Sequence, residues 1–257
     1  MTARATTMRL AGAVAVVTGA SHGVGRATAV VLSRRGATVV GVARDDDALA
    51  ALDQLTDGSH VATDVRDPCH AERVVAETIR RHGRIDAVVA CAGVGHVGTF
   101  TEMPVERIRE LVDVNLTAPM LLTRAALPRM VGQRRGAVVL VTSIAGAVLV
   151  PGESVYSVTK AALEAFAETL REETRGTGVT VSSLLPGAVD TAFFEHRGTP
   201  YGRSFPRPVP PERVAESVAD LLVTGARSRV EPNWLSIAAA LHRLAPATYR
   251  ALARRLA

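Results

Sequence analysis

A tyrosine and a lysine stand four residues apart in the run Ser154-Val155-Tyr156-Ser157-Val158-Thr159-Lys160. Residues at positions i and i+4 of a helix share a face, so the Tyr156 phenol and the Lys160 ammonium can reach into one pocket. A free phenol loses its proton only near pH ~10, and a neighbouring cation favours its charged form. The pair is therefore a candidate for general acid–base catalysis near neutral pH.

Composition singles out the same lysine. Lysine and arginine together number 30, and Lys160 is the one lysine among 29 arginines. Arginine is planar and always charged, whereas lysine is a compact point charge whose pKa shifts readily on burial. A cation with a purely structural role could be arginine here as elsewhere. We therefore interpret Lys160 as a residue that the chemistry requires.

A glycine-rich loop joins the first apolar run to the first helical pattern. It reads Thr18-Gly19-Ala20-Ser21-His22-Gly23-Val24-Gly25. Glycines permit a tight turn and a close approach of the backbone to a pyrophosphate, which rests on a helix N-terminus. Glycines also end strands, so the run alone is weak evidence. Its position between a strand and a helix is what favours a dinucleotide site.

Short apolar runs alternate with longer helical patterns, which predicts βαβ units and a parallel sheet. The predicted strands are Val14–Val17, Thr38–Val42, Ala87–Cys91, Ala137–Thr142 and Val179–Leu185. The predicted helices are Gly25–Arg35, Asp45–Leu55, Ala71–His82, Val105–Met130 and Val155–Arg175. Strands that are apolar throughout are typical of a sheet covered by helices on both faces. We expect residues 1–257 to form one α/β domain with a doubly wound parallel sheet.

The glycine spacing and the tyrosine/lysine pair together resemble the short-chain dehydrogenase/reductase family. The resemblance extends from Leu10 to about Arg229. It also rests on Asp64-Val65, Ala90-Cys91-Ala92-Gly93, Asn115, Ser143, and Pro186-Gly187 followed by Thr191. It implies a Rossmann fold and an NAD(P)-dependent oxidoreductase that interconverts a ketone and a secondary alcohol by hydride transfer.

The resemblance implies four catalytic residues. Tyr156 would exchange a proton with the substrate oxygen, while Lys160 and the charged nicotinamide would lower the pKa of the phenol. Lys160 would also hold the nicotinamide ribose, and Ser143 would hydrogen-bond the substrate carbonyl. Asn115 would hold a water that relays protons to the lysine. From sequence alone, Ser143 could instead cap a turn. Asn115 could bond a nearby backbone group, which is compatible with its catalytic role.

By the same resemblance, the cofactor would bind along the carboxyl ends of the strands. The expected residues are Gly19, Ser21, His22, Gly23, Val24, Gly25, Arg44, Asp64, Val65, Ala92, Gly93, Tyr156, Lys160, Pro186, Gly187, Val189 and Thr191. Asp64 would contact the adenine, although a turn or cap role fits the sequence nearly as well. The chain departs from the family at Ala90 and Cys91, where two asparagines usually precede Ala-Gly.

The end of the second strand, Gly41-Val42-Ala43-Arg44, bears on which cofactor is used. NAD-binding relatives carry a carboxylate at this place, and it repels a 2′-phosphate. Ala43 takes the position of the acid, and Arg44 offers forked donors suited to phosphate, so we predict NADP. NAD is the alternative if the register shifts to Asp45, Asp46 or Asp47. Those acids could instead complement the dipole of the following helix.

The substrate site is expected to be largely apolar and covered by a loop of residues 188–211. Its expected walls are Ser143, Val94, His96, Val148, Leu149, Phe193 and Phe194. This character favours a hydrophobic ketone or secondary alcohol. A non-catalytic NADP-binding sensor is the alternative from another class, but it has no need of all four catalytic residues. Nucleotide-sugar epimerases share the tyrosine/lysine pair with a different glycine spacing.

Composition argues against several other classes. Hydrophobic residues make up 47% and charged residues 21%, which is ordinary for a soluble protein. The net charge is +5, but the arginines are scattered, so we expect no nucleic-acid partner. Cys69 and Cys91 give neither zinc spacing nor a disulfide framework, and no metal is predicted. We expect a cytoplasmic protein without a signal or membrane span, and a homo-oligomer by family resemblance.

The tail, residues 233–257, departs from the family. It lacks the strand and the Val-Asp-Gly-Gly run with which many members end. Apolar residues among several arginines predict two short amphipathic helices broken at Pro246. The tail could pack on its own body or on a neighbouring subunit, or it could lie on an anionic membrane surface.

Overall fold

The computed structural model describes residues 8–148, 150–202 and 205–249. The strands are β1 Val14–Thr18, β2 Thr38–Ala43, β3 Ser59–Ala62, β4 Ala87–Ala90, β5 Gly136–Val141, β6 Val179–Pro186 and β7 Ser228–Glu231. They form one parallel sheet in the order β3-β2-β1-β4-β5-β6-β7. The strand order reverses between β1 and β4, and ligands of open α/β sheets bind at such a switch point.

Helices cover both faces of the sheet. They are α1 Gly23–Arg34, α2 Asp46–Thr56, α3 His70–His82, α4 Val105–Val112, α5 Ala118–Gly132, α6 Ile144–Val148, α7 Ser154–Glu173, α8 Phe193–His196, α9 Pro211–Thr224 and α10 Leu235–Leu244. One buried apolar cluster includes side chains of α1, α2 and α9, and a second includes side chains of α3, α5 and α7. Val16 and Val17 of β1 belong to opposite clusters, because successive strand residues point to opposite faces. The predicted doubly wound fold is confirmed.

The five predicted strands are present, and the two that sequence reasoning missed are the edge strands β3 and β7. Neither edge strand is an uninterrupted apolar run, since β3 reads Ser-His-Val-Ala and β7 reads Ser-Arg-Val-Glu. The expectation that the chain lacks a final strand was wrong. β7 lies just before the tail and pairs with β6, so the sheet is completed without the family's usual closing run.

The predicted helix Val105–Met130 is interrupted. Between α4 and α5, residues Asp113–Thr117 form a turn of π-helix, and Asn115 lies at its centre. Single π turns within α-helices are frequent at functional sites. In this turn the Asn115 side chain reaches the backbone of Val94, in the loop after β4.

The tail forms the two predicted helical segments as far as the structure describes it. α10 ends before Ala245, and residues 246–249 are helical again. Leu235, at the start of α10, is buried. Its Cδ1 atom would lie 2.5 Å from a Cβ atom added to Gly187. The beginning of the tail therefore packs on the loop after β6. Among residues 8–148, 150–202 and 205–249, none of the helices has the length and hydrophobicity needed to cross a bilayer.

Candidate active site

A cavity of about 1390 Å³ opens where strands β1, β2, β4, β5 and β6 end. All residues expected to bind the cofactor line it: Gly19, Ser21, His22, Gly23, Val24, Gly25, Arg44, Asp64, Val65, Ala92, Gly93, Tyr156, Lys160, Pro186, Gly187, Val189 and Thr191. They come from segments spread over most of the chain, and the parallel sheet brings them to one edge.

The glycine loop has the compact shape that a bound pyrophosphate requires. Gly19 has φ +68°, a conformation that side chains disfavour. A Cβ atom on Gly25 would lie 2.2 Å from the carbonyl oxygen of Gly19, so glycine alone fits. The Thr18 hydroxyl accepts hydrogen bonds of 3.0 Å from the backbone N–H groups of Cys91 and Ala92. The loop and the end of β4 are thus held together, with the N-terminus of α1 facing the cavity as in an anion site.

Charged side chains surround the end of the cavity beside β2. Arg44 follows Ala43 and is exposed to solvent on the cavity wall. The Asp45 carboxylate accepts a 3.0 Å hydrogen bond from the N–H of Ala48 and so caps α2. The Arg66 guanidinium donates hydrogen bonds to both carboxylate oxygens of Asp64, and these lower the pKa of its carboxyl group despite partial burial. Asp45 therefore has a structural role of its own, and Asp64 faces the cavity as half of an ion pair.

Three of the four residues expected to be catalytic converge on the other half of the cavity. Ser143 directly follows β5, and Tyr156 and Lys160 lie on the inward face of α7. Ser143 and the Tyr156 phenol line the same part of the cavity, and the serine hydroxyl lowers the pKa of the phenol. The Nζ atom of Lys160 donates a 3.0 Å hydrogen bond to the carbonyl of Val141 and lies 5.9 Å from the centroid of the Tyr156 ring.

The protein alone shifts the phenol in the direction opposite to the one we expected. Burial raises the pKa of Tyr156 to about 12; the Ser143 hydrogen bond opposes the shift, the Glu153 charge adds to it, and the Arg197 charge opposes it. Burial lowers the pKa of Lys160 to about 8. Desolvation disfavours the charged form of both groups, and here it outweighs their neighbours. The lower phenol pKa expected from sequence included the positive charge of a bound nicotinamide.

Asn115 is fully buried and does not line the cavity. Its Nδ2 donates to the carbonyl of Val94 and its Oδ1 accepts from the N–H of Val94, both at 2.9 Å. A Cβ atom on Gly93 would lie 3.3 Å from Asn115 Oδ1 and 3.5 Å from Lys160 Nζ. The asparagine side chain thus bonds nearby backbone, as the simpler interpretation held, and it fixes the loop beside the lysine.

Four of the expected substrate walls, Val94, Val148, Phe193 and Phe194, line the cavity together with Ser143. His96 does not line it, because its ring lies against Gly98 in its own loop; a Cβ atom there would be 3.2 Å from the imidazole Nε2. Leu149 lies outside the described residues.

Sequence reasoning missed two groups of wall residues. One consists of charged side chains, Arg107, Glu110, Glu153 and Arg197. The other comes from the tail: Leu235, Ala238, His242 and Tyr249. Glu153 stands three residues before Tyr156 and could have been noticed by that spacing. The apolar periodicity of the tail indicated a packed face, but not that this face lines the cavity.

Part of the loop of residues 188–211 lies over the residues that we expected to be catalytic. Its two ends are joined by a parallel bridge between Val189 and Val209. Within it, α8 brings the Phe193 ring to 5.7 Å from the Tyr156 ring, and the His196 ring to 5.7 Å from that of His22. The segment therefore contacts both the catalytic tyrosine candidate and the glycine loop, as a lid would.

Known proteins share this sequence and architecture. The family model for short chain dehydrogenases matches residues 13–201. An uncharacterized oxidoreductase of Staphylococcus haemolyticus is 35% identical over 224 residues, covering 86% of this chain and 95% of the relative. Oxidoreductase UcpA of Salmonella typhimurium is 33% identical over 192 residues, covering 73% of each chain.

A solved structure shares the fold. It is the 3-ketoacyl-(acyl-carrier-protein) reductase of Brucella melitensis complexed with NADH, with a TM-score of 0.79 at 24% identity, covering 86% of this chain and 98% of that one. A likeness at this identity shows architecture alone, whereas the family model matches most of the chain. The chain belongs to the short-chain dehydrogenase/reductase family and is an oxidoreductase.

Proposed function

We propose that this protein reduces a hydrophobic ketone to a secondary alcohol with NADPH. The observation that carries the choice of cofactor is Arg44, which stands on the cavity wall directly after Ala43, the position at which an NAD-binding relative would carry an acid. Asp45 is the nearest carboxylate in sequence, and its side chain caps α2. Arg44 is a forked cation, and the two carboxylates that share its part of the cavity wall, Asp45 and Asp64, are engaged in a helix cap and in an ion pair with Arg66. This arrangement favours a 2′-phosphate.

The catalytic half of the cavity suits proton transfer to a carbonyl oxygen. The cofactor, when bound, supplies the hydride. Ser143 donates a hydrogen bond to the carbonyl oxygen and orients it, and Tyr156 donates its proton to the same oxygen. Lys160 stabilises the negative charge that remains on the phenol, at a position fixed by the Val141 carbonyl. Burial excludes water from the groups that move the proton.

The apolar walls support a hydrophobic substrate. Side chains from four separate segments contribute, among them Val94, Val148, Phe193 and Leu235. Small polar sugars or hydroxy acids would leave much of this surface without a partner. The test is a panel of aliphatic and alicyclic ketones against such polar carbonyl compounds. Faster turnover of the polar group would contradict the substrate class and leave the reaction type standing.

The choice of cofactor is tested by Arg44→Ala. Loss of a charge-assisted hydrogen bond to phosphate costs about 1.5–3 kcal/mol, so the Kd for NADPH should rise roughly tenfold to a hundredfold and that for NADH much less. Arg175→Ala is the matched control, since Arg175 is an exposed arginine whose partner is Glu172. Equal losses for both cofactors in Arg44→Ala would refute the assignment.

A further inference from the structure

An ion pair inside the cavity joins the loop of residues 188–211, here called the lid, to α7, the catalytic helix that carries Tyr156 and Lys160. Arg197 follows α8 in the lid, and Glu153 immediately precedes α7, three residues before Tyr156. Their side chains form a salt bridge and are only 11% and 14% exposed. An ion pair on the surface contributes little, but one that is mostly buried is costly to break, because each charge is then left without its partner.

The surroundings of Arg197 hold it in one place. Its guanidinium stacks on the Phe194 ring, with Cζ 4.6 Å from the centroid, and its Nε donates to the carbonyl of Thr199 at 3.1 Å. A Cβ atom on Gly95 would lie 3.0 Å from Arg197 Cβ and 2.7 Å from Phe193 Cζ. The lid therefore packs closely on the loop after β4, and the arginine head is directed toward α7.

The charges around the Tyr156 phenol come from two elements. Glu153 and Lys160 belong to the catalytic helix and its cap, and Arg197 belongs to the lid. After burial and the Ser143 hydrogen bond, the Glu153 charge raises the pKa of Tyr156 and the Arg197 charge lowers it. Movement of the lid away from α7 would remove the charge of Arg197, which opposes the effect of Glu153 on the pKa of the phenol.

We propose that Arg197 and Glu153 form a latch that holds the lid on the catalytic helix and brings a positive charge to the phenol when the lid is closed. When the lid closes over a substrate, the same movement brings the charge of Arg197 to Tyr156, the proton donor. Arg197 and Glu153 are positioning residues, because they act through the lid and through Tyr156. The inference rests on the proposed function in one respect, namely that Tyr156 is the acid and base.

The mechanical half of the proposal is tested without any turnover. Hydrogen exchange is followed in the lid, where the N–H groups of His196 and Arg197 bond to Ala192 and Phe193. Arg197→Met keeps the length of the side chain and removes its charge, and Glu153→Gln removes the opposite charge. Each single variant should raise the rate of hydrogen exchange in the lid roughly fivefold or more. The exchange rate of the double variant should be close to that of the single variants, because all of them break the same ion pair.

The control for this arm breaks an exposed pair at the other end of the same helix. Arg175→Met removes one of the two arginine partners of Glu172 and should leave exchange in the lid unchanged. Unchanged exchange in Arg197→Met or Glu153→Gln would overturn the latch. So would equal acceleration in Arg175→Met, because the effect would then be a general loosening.

The electrostatic half is tested by the pH profile of kcat/KM for alcohol oxidation, in which the phenolate accepts the proton. The apparent pKa should move up by about half a unit or more in Arg197→Met and down in Glu153→Gln, and it should return toward the original value in the double variant. Arg197→Lys should restore most of the original profile. Shifts in the same direction, or none, would overturn the coupling. Absence of any ketone or alcohol turnover in the unaltered protein would refute the proposed function instead, and lid exchange would still decide the latch.

Discussion

Lys160 holds its ammonium 5.9 Å from the centroid of the Tyr156 ring, with its hydrogen bond directed to the Val141 carbonyl at the end of β5. The lysine side chain is buried to 4% exposure. It is therefore held by the end of β5 beside the phenol ring. α7 places the two residues one helical turn apart, and the bond to Val141 at the end of β5 holds Nζ at its distance from the ring.

Replacement of Lys160 by arginine tests whether the chemistry requires a lysine at this position, in a chain whose other 29 basic residues are arginines. In Lys160→Arg the charge is kept, but a planar guanidinium must fit between the Val141 carbonyl and Gly93, whose Cβ position lies 3.5 Å from Nζ. We expect kcat to fall ~10²-fold or more, with an unchanged circular dichroism spectrum. Activity within about threefold of the original would show that charge alone is sufficient.

The reduction rate should fall as the pH rises through the pKa of Lys160. Burial lowers that pKa to about 8, so the ammonium is present below pH 8 and is lost above it. The phenol, with a pKa raised to about 12, keeps its proton over the same range. A profile of kcat/KM for ketone reduction should be level below pH 8 and decline above it. A rate that increases through pH 8 would contradict this assignment.

Thr18 should stabilise the cofactor loop through its hydroxyl. Thr18→Val removes the acceptor of two N–H groups, those of Cys91 and Ala92, at nearly constant volume. The free energy of unfolding should drop by about 1–3 kcal/mol in urea titrations, because buried donors lose their partner. Thr18→Ser keeps the hydroxyl and should recover most of that loss. A valine variant as stable as the serine variant would show that the hydroxyl does not matter.

The tail should contribute to substrate binding. A chain ending at Pro232 lacks the wall residues Leu235, Ala238, His242 and Tyr249, so the KM for a hydrophobic ketone should rise ~10-fold and the Kd for NADPH less. Leu235→Ala should give a smaller change in the same direction. Equal effects on both constants would point to a general loss of structure.

Co-sedimentation of the full and shortened chains with anionic vesicles separates the two interpretations of the tail. Packing on the body of the protein predicts equal sedimentation. More sedimentation of the full chain would favour the membrane surface.

Much of the fold follows from the sequence because the central strands are covered on both faces. Val14–Val17 and Ala87–Cys91 are uninterrupted apolar runs for that reason, and their boundaries agree with β1 and β4 within about a residue. The edge strands β3 and β7 are paired on one side and contain polar residues, so neither has this signal. The π turn at Asn115 has no sequence pattern of its own.

Some residues of the site can also be predicted from the sequence, and others cannot. Loop and helix motifs with fixed local spacing, such as the glycine loop and the Tyr156/Lys160 pair, are visible in sequence because neighbours along the chain are neighbours in space. The Arg197–Glu153 pair joins residues 44 positions apart, and only the fold brings them together. The residues of the tail that line the cavity are likewise distant in sequence from the rest of the site, and only the fold brings them to it. His96 was misplaced because its position in a loop did not reveal the direction of its ring.

The most direct test of the account compares the unaltered protein with Tyr156→Phe in NADPH-dependent reduction of a hydrophobic ketone. Phenylalanine keeps the ring that packs on Phe193 and removes the hydroxyl that carries the proton. NADPH binding, measured by fluorescence, should be retained within a few-fold, and kcat should fall ~10²–10⁴-fold, the usual contribution of general acid catalysis. Undiminished turnover in Tyr156→Phe would contradict the mechanism.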